Sequence, residues 1–479
     1  MNTSPPNGFR TFIILWLTQS FSAFGTQLTV FALNIWLATV LFPLPEQRPE
    51  LASAIAIMSL AIAIPSVFAA PIAGAWADRH DRKQTMMMAD ALHGLLTVIE
   101  LILIYTQTFR VWTMAITVFL HGLIQTFHHS AFDTSYSMIV PKAQLARANG
   151  MMQTTQSLSG ILAPGVAALI VSLPSLARQG LIGGAVGNWL AGLPNGTVFA
   201  MGLDVVTFLV AAIVPYFLHV PSPQRQPSAA QTSEVSTPIH TSTAGRAKIS
   251  EISKSSLWGD IKEGALYIWQ RRPLLWLLAT FTVTNFASSP IFVLTPLLLK
   301  FNLAADWARN GFTFETATAL MATISSVGGV VGGVIISAWG GLKTNKIYGV
   351  VLAILGTGLA TIVLGLSPWF YLAVAMGFIT AGLIPVMNAH SQSIWQSQTP
   401  PELQGRVFAV RRVIAQFTWP ISTALAGYAG GVFDVGGYIV IMGIIATVFC
   451  IGQLFNPILR RVEDKAYLDA LAARSVKTP

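Results

Sequence analysis

Asp90, His93, Thr97 and Glu100 recur at intervals of three and four inside one apolar stretch. On a helix that spacing brings all four within roughly 80° of one another. Further on, His121, Gln125 and His128 share a face roughly 60° wide, with Asp133 beyond them. A charged side chain at a bilayer centre costs about 2.5–3.5 kcal/mol on insertion scales, so such groups are functional candidates by default. A carboxyl in apolar surroundings can load and release a proton near neutrality, and histidine needs little help to do the same. Glu100, His121, His128, Asp133 and Asp90 are therefore the candidate proton-coupling groups. Glu100 is the deepest, about four turns into its segment. Asp90 and Asp133 lie near one end and Asp204 near the other.

Neutral polar residues mark a second kind of site. Gln19, Thr26, Gln27 and Asn34 share a face about 100° wide. Gln19, Gln27, Asn34, Gln125, Asn285, Asn388 and Gln392 are the candidate cavity residues. Few polar groups in much apolar wall suit an amphipathic organic molecule. No Lys or Arg falls mid-segment, which argues against an anion carrier. No phosphate loop, HExxH or GxSxG constellation is present. Cys450 is the sole cysteine, which excludes a disulfide framework and a Cys-based zinc site. Neither an enzyme, nor a metal, nor a cofactor is expected.

These residues need membrane-spanning helices to hold them. The chain has 479 residues, 53% hydrophobic and 10% charged, too few charges to cover a water-soluble body of that size. Twelve apolar stretches reach the bilayer length of about 20 residues: 11–40, 51–73, 84–106, 111–136, 149–172, 198–220, 274–299, 315–340, 346–366, 369–396, 407–432 and 437–458. They are continuous rather than alternating, which selects helices over a barrel. With the N-terminus inside, 23 of the 28 Lys and Arg fall in cytoplasmic segments, as the positive-inside rule requires. The net charge of +9 is thus a topology signal, not a nucleic-acid patch, and both termini are expected in the cytoplasm.

The spans divide six and six. Residues 1–220 form the first half, 221–256 a Ser/Thr/Pro-rich linker, 257–273 an interfacial amphipathic helix, 274–460 the second half and 461–479 a cytoplasmic tail. Gly74-Ala75-Trp76 and Ser337-Ala338-Trp339 close corresponding spans, as do the prolines Pro164 and Pro420. Two six-helix halves related in this way place a transport site between them near the midplane. Gly328-Gly329-Val330-Val331-Gly332-Gly333 reads as a helix-packing face.

The loop Gly74-Ala75-Trp76-Ala77-Asp78-Arg79-His80-Asp81-Arg82-Lys83 resembles the signature loop of the major facilitator superfamily, with Asp81 where glycine is usual. Pro141–Gly150 and Thr399–Phe408 look like the drug:proton antiporter subgroup that includes macrolide-efflux proteins. The resemblance implies an all-α, twelve-helix fold in a bacterial inner membrane. It also implies export of drug-like or macrolide-like amphiphiles by alternating access and proton antiport. The partners would be a small-molecule substrate, protons and lipid, with no nucleic acid, and the protein would be a monomer. A conformational gate would involve Gly74, Asp78, Arg79, Arg82 and Arg406. Gly150, Ala163, Pro164 and Ala167 stand where the subgroup has its fifth-helix glycine-proline motif. Span four would line the central cavity, and no arginine lies there for the usual relay. Two other readings stand beside this one: export of an endogenous metabolite or siderophore, and a non-transporting membrane sensor or scaffold.

Overall fold

A computed structural model describes residues 8–141, 144–218, 257–400 and 403–475; the expected linker 221–256 and some helix side chains, those of Asp78 and Arg79 among them, lie outside the described residues. Among the described residues the chain is helical throughout, with no strand. The first half contains α1 (Gly8–Trp36, running on as a π turn Leu37–Leu41), α2 (Arg48–Phe68), α3 (Ala70–Arg79), α4 (Arg82–Tyr105), α5 (Val111–Ile139), α6 (Leu145–Arg178), α7 (Gly184–Ala191) and α8 (Thr197–Ile213). After α9 (Leu257–Gln270), the second half contains α10 (Arg272–Ser288), α11 (Pro290–Leu297, with a π turn Leu298–Asn302), α12 (Ala304–Arg309), α13 (Phe314–Trp339), α14 (Lys346–Leu366) and α15 (Phe370–Gln398). It ends with α16 (Gln404–Gln416), α17 (Thr418–Val432), α18 (Val435–Leu454) and α19 (Lys465–Ser475).

Among the described residues, ten helical segments are long and apolar enough to cross a bilayer. The two other expected spans fall on α5 and on the α16–α17 pair. Helix α5 has 29 residues but carries the histidines and Asp133. The α16–α17 run breaks at Phe417 because Pro420 has no N–H to offer the Gln416 carbonyl. Pro290 interrupts α10 and α11 likewise, freeing the Phe286 carbonyl, which accepts instead from the Ser422 hydroxyl of α17. Such cross-helix rescue is what hydrocarbon demands of a broken helix.

The departure at Asp81 has a local reason. Its side chain caps α4, accepting from the Gln84 N–H at 2.9 Å, a typical N-cap role. Thr313 and Asp434 cap α13 and α18 in the same way.

Within the first half α1 packs on α6 and α8, and α4 on α5 and α8; within the second, α14 packs on α15 and α18, and α13 on α15. Glycines permit the tightest approach: a Cβ on Gly332 of α13 would run into the Gly382 carbonyl of α15, the packing role expected of that glycine run. The halves meet through α2 with α17 and through α6 with α13. A repeat that lays the second span on the eighth and the fifth on the eleventh makes these two interfaces equivalent, so the weak sequence repeat has a geometric counterpart.

The cores show how the halves close. One cluster draws Trp36, Leu51 and Ile55 together with Leu294, Leu297 and Phe370, so both halves share it. At the opposite end each half keeps its own core, Phe12 and Ile139 in one, Trp395 and Val407 in the other. The molecule is sealed at the end bearing Arg48 and Lys300 and divided at the end bearing Arg411.

Candidate functional site

Between the halves lies a cavity of about 990 Å³, at the upper end of the usual range for small-molecule sites. Helix α1 contributes Gln27, Phe31 and Asn34, α6 contributes Ser159 and Pro164, and α10 contributes Asn285. From α13 comes Met321, from α15 Asn388 and Gln392, and from α16 Arg411 and Arg412. Many hydroxyls in this wall are already used. Thr284, Thr295, Thr318, Thr361 and Thr380 each donate to the carbonyl four residues earlier, at 2.6–2.8 Å. Asn34 donates to Val30 O and Asn285 to Ala415 O. The wall is therefore more apolar than its composition suggests. Gln27, Asn388, Arg412 and Gln416 are exposed, and their side chains make no hydrogen bond among the described residues.

A second polar system lies behind α1, within the first half. Gln19 Nε2 donates to Asp90 Oδ2 at 2.9 Å, and His128 Nε2 stands 3.5 Å from Asp90 Oδ1. His93 Nδ1 and His121 Nδ1 are 2.7 Å apart, and His121 Nε2 is 3.6 Å from Glu100 Oε1. Thr29 Oγ1 donates to Asp204 Oδ2 at 2.8 Å. Glu100 and Asp204 are each 1% exposed. Among the described residues, neither oxygen of Glu100 has a hydrogen-bond partner, nor has His93 Nε2.

This arrangement can hold a proton in more than one place. The short Nδ1–Nδ1 contact has room for one hydrogen, so one imidazole donates and the other accepts. An uncompensated charge is costly at such burial. The favourable states of the Glu100–His121 pair are thus a neutral acid beside a neutral ring, or a carboxylate beside an imidazolium.

Helix α1 is the wall common to both systems. Gln27, Val30, Phe31 and Asn34 face the cavity, while Thr29 and Gly25 face α8. A Cβ on Gly25 would collide with Thr207 and Asp204, so the backbones are held close there.

The expected site residues divide between these places. Gln27, Asn34, Asn285, Asn388 and Gln392 line the cavity, as do Ala163 and Pro164. Gln19 and Gln125 do not: Gln19 serves Asp90, and Gln125 Nε2 lies 2.8 Å from His129 Nε2 of its own helix. No α5 residue lines the cavity among the described residues; α5 packs on α2 and α4. Ala167 is buried against Leu28 and Ala32, and position 150 lies outside the described side chains. Asp133 is exposed. In the signature loop, Arg82 is buried and donates to Ala77 O at 3.0 Å, while a Cβ on Gly74 would meet nothing. Arg406 pairs with Glu263 of α9. His390 is taken up structurally, accepting from Leu342 N and bonding Val386 O.

Two features escape the sequence reading. Asp204 belongs to the buried system because α8 packs against Gly25 and Thr29. Contrary to the expectation of a chamber free of Lys and Arg, Arg411 and Arg412 stand in the cavity wall, where they could meet an anion. They sit two turns inside α16, where the span's boundary charges were expected to mark cytoplasm alone.

The Major Facilitator Superfamily model matches residues 15–423. Macrolide efflux protein A of Streptococcus pyogenes is 23% identical over 445 residues, covering 92% of this chain and 94% of that protein. The multidrug efflux pump Tap of Mycobacterium bovis (strain BCG / Pasteur 1173P2) is 23% identical over 402 residues, 81% of each chain. Among solved structures, the nucleoside transporter NupG aligns with a TM-score of 0.58 at 12% identity, covering 94% of this chain and 98% of that one. A bacterial homologue of the iron transporter ferroportin, in an inward-facing state, aligns with a TM-score of 0.61 at 14% identity, covering 94% and 99%. The chain belongs to the Major Facilitator Superfamily, a family of membrane transporters.

Proposed function

We propose that this facilitator-superfamily chain exports amphipathic small molecules by alternating access, in exchange for protons, and that the structure is its cytoplasm-facing state. The observation that carries the reading is the cavity between two halves that share a core at one end only. Positive-inside orientation makes the sealed end, with Arg48 and Lys300, the outer one. The cavity then faces the cytoplasm, the side from which an exporter loads. The names of the efflux-pump relatives support export of drug-like cargo.

The buried acid–histidine system supports proton coupling. Glu100 would take its proton when the sealed end opens outward and release it to the cytoplasm in the present state, relayed through the His121–His93 pair. Because α1 touches both systems, its tilt would tie the protonation of Glu100 to the shape of the cavity.

The test is the internal pH of energised everted vesicles bearing the protein, followed as amphipathic compounds, macrolides among them, are added. Proton release on adding a compound, absent from vesicles without the protein, is the expected result. Protein-dependent movement of labelled compound with no pH response would contradict proton exchange.

A further inference from the structure

Apart from Arg411 and Arg412, no residue lining the cavity is ionisable among the described residues. Both are on adjacent positions of α16, so two positive charges face one chamber with no carboxylate to balance them among the described residues. Arg411 is held in place: its Nη1 donates to Gln392 Oε1 at 2.9 Å and its Nη2 to Ser391 Oγ at 3.3 Å. Its guanidinium also lies 5.1 Å from the Trp395 ring centroid and 5.9 Å from that of Phe281. These partners are neutral acceptors and aromatic faces; they orient the fork without neutralising it. Arg412 is exposed and makes no hydrogen bond among the described residues. Gln416, one turn further along the same helix, is exposed beside it.

Paired like charges in a low-dielectric chamber repel each other and attract a counter-ion. Guanidinium groups match carboxylate, sulfonate and phosphate oxygens in geometry as well as charge. The rest of the chamber, with its self-bonded threonines and residues such as Phe31, Met321 and Ile384, accepts an apolar body. Resting on the export reading above, we infer that Arg411 and Arg412 are the head-group subsite and that the substrates are amphipathic anions. The anionic head sits at the arginine end and the apolar body extends toward Phe31.

The probes are a dansyl-labelled medium-chain carboxylic acid, its methyl ester and the corresponding amine, bound to the full-length protein in phosphatidylcholine nanodiscs. The acid is expected to bind about tenfold more tightly than the ester, and the amine more weakly still. Arg412→Gln, at an exposed position, should bring the acid's affinity down to that of the ester; Arg411→Lys should keep part of the preference. Equal binding of acid and ester, or preference for the amine, overturns the assignment, yet leaves export standing if the vesicles still respond to neutral or cationic compounds. If Arg412→Gln slows transport of all three probes equally with unaltered binding, the pair serves the gate and the assignment fails. In discs containing phosphatidylglycerol the acid's affinity should persist; its loss would give the subsite to lipid headgroups.

Discussion

The Nζ of Lys300, at the end of the seventh span, lies 2.5 Å from the carbonyl oxygen of Phe42, at the end of the first. The same ammonium also donates to Ala38 O. One cation of the second half thus bridges two backbone carbonyls at the C-terminal end of the first-half helix, where the helix dipole favours positive charge. Arg48 makes the reciprocal contact, its Nε donating to Gly430 O at 2.8 Å.

Lys300→Met keeps most of the stem and removes the donors. Hydrogen bonds to charged groups contribute about 1.5–3 kcal/mol, so the equilibrium should move about tenfold or more toward the outward-open state. Spin labels at Leu44 and Asn310, on opposite halves of the sealed end, would report longer distances; the buried Cys450 stays out of the labelling. An unchanged distance distribution would show that the contact does not hold the seal.

Much of this fold was legible in hydropathy alone, because most spans are continuous apolar runs bounded by charges. What was not legible is which faces meet. Asp204 reads as a lone acid near a helix end until α8 is laid on Gly25 and Thr29 of α1. Arg411 and Arg412 read as boundary charges until α16 is seen to start at Gln404 and carry them inward. The family resemblance implies a cavity-lining span four, but His121 and His128 of its polar face are turned to His93, Glu100 and Asp90 of α4. Such pairings are set by three-dimensional packing, which single-helix periodicity does not encode. Asp81, by contrast, was visible as a departure from the signature loop, and its capping of α4 is a local effect.

The glycine run of α13 offers a paired test. Gly332→Ala would drive a methyl into the Gly382 carbonyl of α15, whereas a Cβ on Gly333 meets nothing. Overpacking costs about 1–3 kcal/mol, so Gly332→Ala should lower the unfolding temperature in detergent and Gly333→Ala should leave it unchanged. Equal effects would contradict the packing described here.

Asp434 caps α18 at the sealed end, accepting from Gly437 N–H at 2.6 Å and from Asn302 Nδ2 at 2.9 Å. The Gly437 N–H holds its carboxyl below the usual range; burial opposes it, and Asn302 and Arg48 add smaller lowering effects. A depressed carboxyl stabilises the fold above its unfolded-state pKa, and that contribution is lost as pH falls through the folded-state value. Asp434→Ala should cost about 1 kcal/mol or less at neutral pH, the site being largely exposed. Comparing unfolding of the two proteins at neutral and strongly acidic pH, the gap should narrow at low pH. A gap independent of pH would remove the charge from the account.

The proposed coupling mechanism rests on Glu100. The direct measurement is transport in proteoliposomes by Glu100→Gln, comparing accumulation driven by a pH gradient with exchange of labelled for unlabelled substrate at equal concentrations. Glutamine keeps the size and cannot titrate, so accumulation should fall to background while exchange continues near the wild-type rate. Gradient-driven accumulation at the wild-type level would show that Glu100 does not carry the coupled proton.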